Sequence, residues 1–205
     1  GNLTNFAATS STVYTAIFTP NVAGPTTIDV AASTFTDAVG NSNLAATQFN
    51  WTYDNVPLTM DITSTTSGVT DGSTTNDAII ELNFTSSKAT TNFGSDDITV
   101  SGGTLTDFAS TSSTVYIATF TPSGSGATTI DVSGSAFTDA AGNSNLAATQ
   151  FNWTYDNVSP SMTITAKKPD NITPVLNDLT TNDPNLLLTF TSSEPTLNFN
   201  ENRII

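Results

Sequence analysis

Along its whole length the chain alternates apolar and polar residues with a period of two, and nowhere does it sustain the spacing of a helix. In the segment STVYIATFTP the side chains of Tyr116, Ala118 and Phe120 share one face. A second version of the segment keeps Tyr14, Ala16 and Phe18 on that face, whereas on the other face Ile117 becomes Thr15 and Thr119 becomes Ile17. One face is therefore core and the other solvent, because successive side chains of a strand point to opposite sides. The same reasoning turns Ile80, Leu82 and Phe84 inward, and with them Leu186, Leu188 and Phe190.

Between Pro57 and Asp156 this pattern predicts seven short strands, near residues 58–63, 78–85, 97–101, 104–109, 114–121, 128–133 and 147–155. Turn chemistry separates them: GVTDGS, the Gly102-Gly103 pair, PSGSG and TDAAGNSN. Seven strands in about a hundred residues predict an all-β fold, an antiparallel β-sandwich of immunoglobulin type. Trp153, Phe151 and Tyr155 of the last strand are expected in its core, as are Trp51, Phe49 and Tyr53 in another copy.

The chain also repeats itself. FTDAVGNSNLAATQFNWTYDNV, at 35–56, returns as FTDAAGNSNLAATQFNWTYDNV at 137–158, an offset of 102 residues, and the match runs upstream to Gly1 and Gly103. A period that long marks a folding module copied in tandem, whereas periods of 20 to 50 residues mark solenoids and propellers. Residues 1–56 then hold the last four strands of one module, 57–156 a complete module, and 157–205 the first three strands of another. In the third segment the offset grows to 106 after the loop AKKPDNITPVLNDL, where four extra residues cost little.

Neither partial module is expected to stand alone. The first would leave Tyr14, Phe18, Ile28, Val30, Phe35, Phe49, Trp51 and Tyr53 uncovered, a loss of order ~10 to 20 kcal/mol of burial against a typical net stability of ~5 to 15 kcal/mol. Two completions are expected: neighbouring repeats of a longer chain, or head-to-tail pairing of separate copies. Such pairing does not close and so makes a filament.

Composition narrows the function. Among 205 residues there is no Cys and no His, so disulfides, thiolate metal sites, the thiol nucleophile and the commonest general base are all absent. Four Lys and Arg against 18 Asp and Glu give a net charge of −14, which repels a nucleic-acid backbone. No stretch approaches the ~20 apolar residues of a membrane-spanning helix. The glycines sit at turns rather than in a phosphate-binding loop. Asp96 and Asp97 are adjacent, so on a strand edge they point to opposite faces and make a poor glycosidase pair. No catalytic residue is predicted. Asn-X-Ser/Thr triplets at Asn2, Asn50, Asn83, Asn152 and Asn171 follow from a composition rich in Asn and Thr.

The segment GGTLTDF, the FTP turn and the FTDAAGN loop resemble the bacterial Ig-like modules found in tandem in large secreted surface adhesins, and the resemblance covers essentially the whole chain. It implies a non-catalytic rod of Ig-like domains, often stiffened by calcium, that builds an extracellular fibre on the bacterial surface or carries an adhesive tip. The implied partners are other copies or adjacent repeats, with any glycan or cell-surface ligand bound elsewhere in the parent. The alternatives are a module that itself binds a glycan or a cell, and an accessory module of a secreted enzyme. The loop TDAAGNSN is almost the same in both copies, which favours architecture over recognition.

In such a sandwich the loops carrying Asp96, Asp97, Asp139 and Asn143, with Asn145, are expected beside the incoming linker Asp54-Asn55. Oxygen ligands from two loops and a linker suit calcium, so Asp54, Asn55, Asp96, Asp97, Asp139 and Asn143 are candidate ligands of a junctional ion. Asx turns that satisfy their own backbone explain Asp139 and Asn143 equally well. Asn202 and Arg203 replace Asp96 and Asp97 in the third segment, and an Arg cannot ligate a cation. Lys88, considered as the donor of a Lys-to-Asn cross-link, is replaced there by Glu194, so the repeat does not preserve it.

Overall fold

The structure, a computed structural model, describes residues 1–205 and divides into two compact units, Gly1–Asp156 and Asn157–Ile205. The first unit begins with two separate hairpins, β1 (Asn2–Ala8) with β2 (Tyr14–Thr19) and β3 (Gly24–Ile28) with β4 (Phe49–Tyr53). A complete sandwich follows. Its strands are β5 (Met60–Ser64), β6 (Thr74–Thr75), β7 (Ile80–Ser86), β8 (Ile98–Ser101), β9 (Gly103–Ser110), β10 (Val115–Pro122), β11 (Gly126–Val132) and β12 (Phe151–Tyr155).

One sheet runs β5-β7-β10-β9 and the other β6-β12-β11-β8. All seven predicted strands are present, with ends shifted by a few residues. The eighth, β6, is two threonines paired in parallel with Thr154 and Tyr155, too short to leave an alternation in the sequence. The inward-facing sets meet as expected: Ile80, Leu82, Phe84, Phe120, Ile130, Val132, Phe137, Phe151 and Trp153 are buried in one core.

The corner between β8 and β9 requires glycine. Gly102 has φ +76, and a Cβ there would lie 2.8 Å from the Ala127 carbonyl oxygen. Further along β9, Asp107 at φ 53 sits where the register against β10 shifts, and Asn5 at φ 53 marks the same bulge in β1. Asp and Asn tolerate the left-handed conformation that such a bulge imposes.

The chain crosses the sandwich from one end to the other. Where it enters, Leu58 bridges to Asn145 in the loop beyond the end of β11; where it leaves, Tyr155 pairs with Gly126 at the start of β11. The two points are thus separated by the length of β11, roughly 20 Å for seven residues of extended chain.

The second unit contains β13 (Met162–Lys167), β14 (Pro174–Val175) and β15 (Leu187–Ser192) in the order β14-β13-β15. The pairing of Ile164 with Phe190 reproduces that of Ile62 with Phe84. Thr180 and Thr181, the counterparts of β6, lie in no strand, for the unit has no strand like β12 beside them.

Candidate functional site at the module junction

The linker between β4 and β5 meets the complete sandwich around the ammonium of Lys88. Lys88 Nζ donates to both carboxylate oxygens of Asp54 at 2.8 Å, to Asp139 Oδ2 at 3.1 Å and to the Val56 carbonyl oxygen. Lys88 follows β7, Asp139 lies in the loop between β11 and β12, and Asp54 and Val56 belong to the linker. One cation thereby ties three separate stretches of chain.

Asn143 completes the group. Its Nδ2 donates to the Asp54 carbonyl oxygen at 3.2 Å and to Asp139 Oδ2 at 3.0 Å. Asp139 Oδ1 accepts from the backbone N–H groups of Ala141 and Asn143 at 3.0 and 2.9 Å. This Asx turn is prefigured in the first repeat, where Asp37 accepts from Val39 and Asn41. The Asp139 side chain is only 5% exposed, while Lys88 and Asp54 are about a quarter to a third open. Hydrogen bonds from Asn143, with Lys88 adding to them, lower the Asp139 pKa from 3.8 to about 2. The Lys88 ammonium holds the Asp54 carboxyl below its ordinary range, and Asp54 in turn raises the pKa of Lys88.

Of the six candidate calcium ligands, the structure brings together Asp54, Asp139 and Asn143. It leaves Asn55 exposed at the surface, and it uses Asp97 to accept from the Gly94 N–H at 2.9 Å over the short 3-10 turn Ser95–Asp97, which also contains Asp96. No three acidic side chains gather closely enough to hold a metal ion. Calcium takes six to eight oxygen ligands; here two carboxylates face a lysine that already supplies the positive charge, and this donor set does not fit the ion. Asn145, expected near the same group, is buried and spent on the backbone: its Oδ1 accepts from Ala136 and Phe137, and its Nδ2 donates to Ser133 and Leu146.

Sequence reasoning missed Lys88 as the hub. The available signal was its rarity, one of four basic side chains in the chain, but its substitution by Glu194 in the third segment masked its part. The group can hold chain segments in place. Elsewhere no helix is long and apolar enough to cross a membrane.

A family model described as a bacterial Ig-like domain matches residues 54–155. Neither the search of curated proteins nor that of solved structures finds a match. The matched span starts at Asp54 of the clasp and stops at Tyr155 of β12, so it coincides with the sandwich and its linker. The central module is therefore a bacterial Ig-like domain.

Proposed function

We propose that the chain is a non-catalytic structural repeat of an extracellular bacterial surface fibre or adhesin stalk, in which sandwiches follow one another end to end and set spacing and stiffness. The observation that carries this reading is the junction. The linker entering the module is fastened through Asp54 and Val56 to Lys88 on one side and Asn143 on the other, at the end opposite to where the chain leaves. A linker pinned on two sides resists bending, and a chain that passes through a rigid body from end to end transmits tension. The near-identity of the two TDAAGNSN-type loops also suits a scaffold better than a recognition surface.

Immunogold labelling of intact cells of the source bacterium, with antibody to the central module, tests the proposal. Labels spaced along fibres or stalks on unpermeabilised cells are expected. Labelling that appears only after permeabilisation overturns it.

A further inference from the structure

A sandwich of two open sheets has four outer strands, and in the central module these are β5 and β9 of one sheet and β6 and β8 of the other. Unpaired backbone groups on such strands invite the edge of another sheet, and a long regular strand is the stronger template. Strand β5 has five residues, β6 two and β8 four, whereas β9 has eight. Only β9 offers a long edge. Its ladder with β10 is interrupted in the middle: Thr106 pairs with Thr119 and Ala109 with Ile117, which leaves Asp107 and Phe108 together opposite Ala118.

The core does not demand this interruption. Leu105 and Phe108 both pack against the core, and three residues apart they face the same way only because the strand carries one extra residue between them. A strand one residue shorter turns both inward without a bulge. The extra residue also holds Asp107 at φ 53, in the left-handed region that most side chains avoid. The first repeat keeps the feature, for β1 skips the same step against β2, with Asn5 at φ 53. Between the copies GTLTDFAS becomes GNLTNFAA, and at the bulge the change stays within Asp and Asn, which after glycine accept this conformation most readily. Asn5 is uncharged, so the copies share the bulge rather than a carboxylate.

We infer that the Asp107 bulge protects the free edge of β9 against pairing with the like edge of a second module. A bulge bends its strand and raises the local twist. Here it divides the outward row of N–H and C=O groups into two short runs, before and after Asp107, neither of which makes a long flat template. In a chain that repeats its module with nearly the same sequence, like edges lie close together and match in register, so an unbroken β9 is where lateral fusion would start. The inference goes beyond the stalk reading and does not rest on it, since the edge is exposed wherever the module is displayed.

Two deletions in the full 205-residue chain close the bulge and keep the rest of the β9–β10 ladder, because either one gives Ala118 a single partner, Phe108. Removing Asp107 leaves a regular strand without its charge, and removing Thr106 leaves a regular strand with Asp107 facing outward. Asp107→Asn and Asp107→Gly keep the bulge. Each deletion is expected to melt cooperatively, as the unsubstituted chain does. In light scattering after gel filtration its weight-average mass is expected to exceed that of the unsubstituted chain at least about twofold at the same high concentration. The two substitutions are expected to match the unsubstituted chain. Hydrogen exchange locates the contact: the free amides of residues 103–110 are expected to gain protection with concentration in the deletions alone. Deletions that keep the unsubstituted mass overturn the inference, as does association without protection at 103–110. Association of either substitution, or of the Asp107 deletion but not a folded Thr106 deletion, assigns the effect to the carboxylate and overturns it too. One deletion that folds is enough to decide; if neither melts cooperatively, the bulge is a packing requirement and the inference falls. None of these results bears on where the protein is displayed, which the labelling experiment reads separately.

Discussion

Asp139 is where the local chemistry of the junction concentrates, since its carboxylate takes donors from Lys88, Asn143 and two backbone N–H groups. Its pKa is depressed in the folded state, so the ionised form contributes stability that is complete above the ordinary value of 3.8 and is lost as pH falls toward about 2. Thermal melts of the full chain and of Asp139→Asn are therefore expected to differ at neutral pH, the variant melting lower, and to converge as pH falls through that window. A gap that stays constant down to the lower limit would remove Asp139 from the account. Lys88 works in the opposite sense: its raised pKa keeps its contribution in place below 10.5, so it does not blur the acid limb. Calcium and a chelator are expected to leave the neutral-pH melting temperature of the full chain unchanged, because a ligand that binds only the folded state would have to raise it.

Among the elements, β4 and β12 carry the same five residues, Phe-Asn-Trp-Thr-Tyr, in different surroundings. Phe151 is 2% exposed and Phe49 64%. Trp153 lies in the closed core, edge-on to Phe120, and its Nε1 donates to Thr75 Oγ1 at 3.1 Å. Trp51, half-buried, has Phe18 and Phe49 as its ring neighbours. Trp153→Ala is therefore expected to cost the central module about 3 to 5 kcal/mol, the usual range for deleting a large buried aromatic. Trp51→Ala is expected to shift the same denaturant transition by less than about 1 kcal/mol. Comparable losses from the two would mean that the first segment shares in the stability of the central core.

For the molecule as a whole, tension applied at the two termini passes through the central module by way of β12 and the segment around β6. Gly72 donates to Asn152 at 2.7 Å, Thr154 to Ser73 and Asp156 to Thr75 at 2.9 Å, and Asn152 N–H donates to Asp71 Oδ1 at 2.7 Å. Because β6 and β12 are parallel and the chain is loaded from opposite ends, these bonds are sheared together rather than opened one after another. Single-molecule pulling on the full chain is expected to show a lower rupture force for Asp71→Ala, and no change for Thr106→Ala on the solvent edge of β9. An unaltered force in Asp71→Ala would place the mechanical resistance in another ladder.

The period-two alternation, the Gly102-Gly103 corner and the 102-residue repeat were enough to give the sandwich, its seven main strands and the inward sets of Ile80, Leu82, Phe84 and Tyr116, Ala118, Phe120. These features are legible because a strand encodes its buried face locally, every second residue, and a copied module displays that face twice. The meeting of Asp54, Asp139 and Asn143 was also legible from loop positions. What occupied the space between them was not, because Lys88 reaches that point across 34 and 51 residues of sequence from Asp54 and Asp139. Nor could alternation reveal β6, whose two threonines form a strand only because β12 lies alongside. Only the folded chain decided which cation serves the junction, since charge neutralisation depends on neighbours that local pattern does not specify.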